Sequence, residues 1–183
     1  MEESLTEEVL KFLNTLALSN SGADVLFLTD KSISIIMSVL ALFHNTTQND
    51  ITTYIHLQES THINYLHLLR TLNVNPPLDM NTYVIKGEMV ENDIGVYDDS
   101  IFDCVLIFLD SIVSYASLLP LLWNKLKSNS SVVIKGIKHS DEKRLKEFQQ
   151  IFGSRILVPP TVHISIHLIE GTGDIIAIKK PCY

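Results

Sequence analysis

The stretch Val162-His163-Ile164-Ser165-Ile166-His167-Leu168, then Glu170-Gly171-Thr172-Gly173-Asp174 and Ile175-Ile176-Ala177-Ile178, decides how this chain is read. Its first seven residues alternate between apolar and polar, the period of a strand with one buried face. A turn bearing glycine and aspartate and an apolar return complete a β-hairpin signature. A hairpin makes its two strands antiparallel. Everything before it points to parallel pairing.

Working back toward the amino terminus, short apolar runs alternate with segments of helical spacing. Ser4-Leu5-Thr6-Glu7 has capping-box spacing, and Leu5, Val9, Phe12, Leu13 and Leu16 share one stripe, which predicts a helix over 5–18. Val25-Leu26-Phe27-Leu28 has the form of a buried parallel strand. Ile33, Ile36, Met37, Leu40 and Phe43 predict a helix over 32–44, followed by strand 51–57 and helix 60–72. Asn75-Pro76-Pro77 breaks the pattern before strand 82–86. Phe102 to Leu109 is the most apolar strand. A helix over 112–127, interrupted by Pro120, precedes strand 131–135 and a charged helix over 141–152. The resulting order is α-β-α-β-α-β-β-α-β-α-β-β. Alternating units impose parallel strands with right-handed crossovers. The expected fold is α/β: a Rossmann-like, mostly parallel seven-stranded sheet, helices on both faces, and a C-terminal antiparallel hairpin. No repeat or long linker divides residues 1–183, so one domain is expected.

The 183 residues are 46% hydrophobic and 19% charged, a balance that excludes a disordered chain. No apolar run reaches the roughly 20 residues of a membrane span. The acidic start, Met1-Glu2-Glu3-Ser4, lacks the regions of a secretory signal, so a cytoplasmic or nuclear location is expected. Cys104, in a buried strand, and Cys182, at the chain end, suggest neither a disulfide nor a metal site. A net charge of −7 argues against binding nucleic acid by bulk electrostatics. The basic cluster Lys135, Lys138, Lys143, Arg144 and Lys146 reads as a solvated helix face.

In this order, with its closing hairpin, the chain resembles the class I S-adenosylmethionine-dependent methyltransferases, especially their small O-methyltransferase-like members. Val9 to Leu28 looks like the entry to the family's cofactor loop. Val84-Ile85-Lys86-Gly87-Glu88-Met89 is similar to its strand ending in a Gly-acidic-Ala step. Ile101-Phe102-Asp103-Cys104-Val105-Leu106-Ile107 resembles its "FD-apolar" strand, and Lys125 to Val133 its "LKPGG-apolar" passage.

Three departures bear on function. The family's first strand-to-helix loop is glycine-rich, because the backbone passes close to the cofactor. Here that loop is Thr29-Asp30-Lys31-Ser32-Ile33-Ser34. Where the family places an acid for the ribose hydroxyls, this chain has Tyr54-Ile55-His56-Leu57-Gln58-Glu59. The "LKPGG" glycines are Asn129 and Ser130. The resemblance implies cofactor contacts at Thr29, Asp30, Ser32, His56, Gln58 and Glu88. The departures imply that S-adenosylmethionine binding is weak or lost.

Asp110 follows the central strand at the carboxyl edge, where open α/β sheets place their sites, and it also fits a helix N-cap before Ser111-Ile112. Lys135 closes the fifth strand at the same edge. With Lys11 and Glu170 these two resemble the Lys-Asp-Lys-Glu set of RNA 2′-O-methyltransferases, in which a lysine of lowered pKa deprotonates a hydroxyl. His163 and His167 share a strand face, but no cysteine or acid completes a metal set. Trp123, in a leucine-rich helix, reads as core or interface. The expectation is a degenerate methyltransferase-fold protein acting as a non-catalytic binding or scaffolding subunit, with a protein partner or as a homo-oligomer. The alternative is a divergent O-methyltransferase acting on a small molecule or RNA, with Asp110 and Lys135 catalytic.

Overall fold

The structure, a computed structural model, describes residues 4–19, 24–46, 51–57, 65–74, 80–86, 94–109, 119–155 and 164–182. In chain order the elements are α1 (Glu7–Ser19), β1 (Asp24–Thr29), α2 (Ile33–Thr46), β2 (Ile51–Leu57), α3 (Tyr65–Val74) and β3 (Met80–Lys86). They continue with β4 (Phe102–Phe108), α4 (Leu119–Lys125), β5 (Leu126–Lys135), α5 (Glu142–Arg155), β6 (Ile166–Leu168) and β7 (Ile175–Lys179). The seven strands form one sheet in the order β3-β2-β1-β4-β5-β7-β6. Pairings from β3 to β5 are parallel, and β7 runs antiparallel to both β5 and β6. The expected mixed sheet is therefore present, with β7 as its one reversed strand.

Strand alternation divides the core into two layers. Val25 and Phe27 of β1 pack with α1, α2 and α3, through Val9, Leu13, Ile36, Leu40 and Leu68. Leu26 and Leu28 face the other way, onto Leu119, Leu122 and Trp123 of α4 and Phe148 of α5. A strand covered on both faces has no place for a polar side chain, which is why β1 and β4 read as continuous apolar runs. Phe27 and Phe108 meet edge-to-face, 5.4 Å between ring centroids. Trp123 is core: it is buried with Leu119 and Leu122 of α4.

Local details differ from expectation. Helix α1 begins at Glu7, because the Thr6 hydroxyl, not Ser4, accepts the Val9 amide at 3.4 Å. The chain leaves α4 after Lys125 and enters β5 directly, five residues earlier than the pattern indicates. Between Phe102/Leu126 and Cys104/Ser131 the register slips, placing extra residues on β5. Asn129 absorbs the slip at φ 68°, a left-handed conformation that asparagine tolerates better than most residues. Strand β6 is three residues long, set by the three partners β7 offers it. Ile164 and Ser165 lie outside it, and Val162 and His163 lie outside the described residues.

Candidate functional site

The strand order reverses between β1 and β4: β2 and β3 extend one way from β1, β5 and β7 the other way from β4. A crevice beyond the carboxyl ends at such a switch is where open α/β sheets bind ligands. Thr29 and Phe108 are paired across this point, and the Asp30 amide donates to the Phe108 carbonyl at 3.3 Å. The edge therefore carries Thr29 to Ser32 from β1, Leu109 from β4 and Lys135 from β5.

The β1–α2 loop is tied down by its own side chains. The Thr29 hydroxyl, fully buried, accepts the Lys31 amide at 3.0 Å. Ser32 caps α2: its hydroxyl accepts the Ile35 amide at 3.4 Å and its carbonyl the Ile36 amide at 3.1 Å. Between them, the side chains of Lys31 and Asp30 are only 8% and 9% exposed, with Nζ 3.9 Å from Oδ1. Lysine and aspartate leave water this completely only when their charges are met. The Asp30 carboxylate lies beside that ammonium, and both residues make further interactions. Lys31 is not among the site residues expected from sequence, although a lysine two residues past a buried strand was a signal.

His56 ends up within the protein. It is 3% exposed, and its Nε2 lies 2.7 Å from the Tyr97 hydroxyl, with the tautomer deciding which group donates. Around it, Tyr97 packs on Phe102 and Tyr54, and Tyr54 stacks on Tyr83 at 5.4 Å and 16°. Gln58, Glu88 and Asp110 lie outside the described residues.

Lys135 does stand at the carboxyl edge, beside Phe108 in the register. Its ammonium is 2.8 Å from Asp174 of the β6–β7 turn. The same turn holds the β5 exit: the Gly136 amide donates to the Asp174 carbonyl, the His139 amide to the Gly173 carbonyl, and His139 Nε2 to the Ile175 carbonyl at 2.8 Å. Gly136 adopts φ +122°, and a Cβ there would lie 3.0 Å from the Leu109 carbonyl oxygen. Lys11 pairs with Glu7 on the surface of α1, and Glu170 is exposed. Of the four residues likened to the RNA enzymes, Lys135 and Lys11 thus bond elsewhere. Among the described residues no group of three or more His, Cys, Asp or Glu can hold a metal. No described helix is long and apolar enough to cross a membrane.

Asn129 and Ser130 must be read differently from the sequence expectation. They lie in the first half of β5, and Lys135 marks its carboxyl end. Asn129 donates its amide to the Lys180 carbonyl. The two residues shape the entry to β5, far along the strand from the crevice.

No family model and no curated protein sequence matches the chain. Solved structures do. A S-adenosylmethionine-dependent O-methyltransferase from Thermotoga maritima superposes with a TM-score of 0.62 at 12% identity, over 100% of this chain and 68% of its own. An O-methyltransferase from Bacillus cereus, in complex with S-adenosylhomocysteine, gives 0.64 at 14%, over 97% and 83%. A precorrin-6y C5,15-methyltransferase from Geobacter metallireducens gives 0.58 at 15%, over 97% and 94%. The chain has the class I methyltransferase fold.

Of the positions that the family resemblance likens to cofactor contacts, the β1–α2 loop carries the buried Asp30 and Lys31, and His56 lies against the Tyr97 hydroxyl.

Proposed function

We propose that this chain is a methyltransferase-fold protein that works without methyl transfer, as a binding or scaffolding subunit for a protein partner. The observation that carries this reading is the burial of Asp30 and Lys31 at the switch between β1 and β4. In a crevice open to a cofactor the side chains at its mouth stay accessible, and those of Asp30 and Lys31 do not. Titration calorimetry with S-adenosylmethionine and S-adenosylhomocysteine tests the reading. No saturable heat is expected up to about 1 mM, the equivalent of about 4 kcal/mol. A dissociation constant near 1 μM, about 8 kcal/mol, would overturn it.

A second reading, a divergent O-methyltransferase acting on a small molecule or RNA, draws its support from the solved relatives, one of them holding S-adenosylhomocysteine. It speaks from the fold, whereas the first speaks from the loop. It predicts that Asp110→Ala or Lys135→Ala abolishes transfer with the melting temperature nearly unchanged. A low melting temperature for both variants would instead mark the two residues as structural.

A further inference from the structure

We infer that the Lys31 side chain is an internal occupant of the crevice, holding with its own ammonium the space that a cofactor takes in the fold's enzymes. The inference rests on the non-catalytic reading above and says which group closes the site. Three observations converge on residue 31. The loop is pinned on both sides, by the Thr29 hydroxyl at the Lys31 amide and by Ser32 capping α2. Its backbone joins β4 through the Asp30 amide and Phe108 carbonyl, at the point where the strand order reverses. The lysine side chain is 8% exposed there, beside an equally buried carboxylate. A buried four-carbon chain ending in a cation, with a carboxylate oxygen 3.9 Å from its nitrogen, displaces water and ligand together. The methionine portion of S-adenosylmethionine is likewise a short chain bearing positive charge, so Lys31 supplies both the bulk and the charge that portion would bring. Removing the side chain, together with the neighbouring carboxylate, reopens the crevice.

The test compares three proteins: wild type, Asp30→Gly/Lys31→Gly, and the volume-keeping neutral pair Asp30→Asn/Lys31→Met. Calorimetry with S-adenosylhomocysteine is expected to show binding at least tenfold tighter in the double-glycine variant than in wild type, with no gain in the Asn/Met variant. A folded double-glycine variant without that gain overturns the inference while leaving the non-catalytic reading standing. Gain in both variants also overturns it, since charge and not occupancy would then exclude the ligand. Tight binding by wild type overturns the non-catalytic reading itself. A second measurement needs no variant: amine acetylation followed by peptide mass spectrometry should modify Lys31 at least tenfold more slowly than the exposed Lys143 and Lys146. Equal rates would remove the buried occupant, whatever the variants do.

Discussion

At the scale of single residues, chemistry here is governed by what each side chain is denied. Gly136 is required twice, by its φ of +122° and by the Leu109 carbonyl 3.0 Å from any Cβ. Gly136→Ala is expected to cost about 1–3 kcal/mol, read by urea unfolding, with a normal denaturant slope. Asn129 is the contrasting case. Its left-handed φ is one that glycine adopts freely, so Asn129→Gly is expected to change stability by less than about 1 kcal/mol, whereas Asn129→Val should cost clearly more. The two cysteines separate by environment. Burial, reinforced by the Asp103 charge, pushes the Cys104 thiol far up, so it stays protonated and shielded, while Cys182 is exposed. Native protein is expected to react with a thiol reagent at Cys182 only, and at both positions after denaturation. Prompt labelling of Cys104 in the native protein would contradict the buried β4. The composition placed Cys104 in a buried strand correctly. The periodicity held no information on Gly136, whose constraint is set by a carbonyl on another strand.

Between elements, two charged groups are held where strands meet helices. Lys180, just past β7, donates to the carbonyls of Trp123 at 2.8 Å and Leu126 at 2.7 Å, capping the end of α4. Burial lowers its pKa and Asp99 partly restores it, so the cation sits there at some cost, offset by two charge-assisted bonds. Lys180→Met removes both bonds and is expected to destabilise by about 1.5–3 kcal/mol in chemical unfolding. Asp24, at the start of β1, shows the opposite sign. Burial raises its pKa above 3.8, Lys127 opposes the shift, and Asp103 adds to it. The folded chain thus keeps a proton that the unfolded chain has lost, so this group's contribution is fully present below pH 3.8 and is lost as pH rises through its folded pKa. Asp24→Asn is expected to raise the melting temperature at pH 7, and the difference should vanish below about pH 3.5. A gain that persists at low pH would exclude protonation as the cause. Element existence was legible throughout, since buried strands and amphipathic helices have distinct periods. Boundaries such as the entry to β5 were not, because Asn129 and Lys180 fix them from 51 residues apart.

Across the whole molecule, the closing hairpin couples the two layers. Ile175 belongs to the layer of α1 to α3, and Ile176 and Ile178 to that of α4 and α5. A chain truncated after residue 163 is therefore expected to lose its cooperative thermal transition and to bind a hydrophobic dye, instead of merely melting earlier. The amino-acid sequence by itself determined the layers and their order, because side-chain period reports local geometry and connection length limits which strands can be parallel. It also drew attention to the loop from Thr29 to Ser32, which lacks the glycines of the family it resembles. Only the tertiary structure decided where those side chains lie. Lys31 could have been a solvated loop cation, and His56 an open ligand to ribose. Whether a charge is buried depends on what covers it, and the Tyr97 that engages His56 lies 41 residues away. The same structure withdrew Asn129 and Ser130 from the argument, because position along a strand, not likeness of motif, fixes which end of the sheet a residue serves.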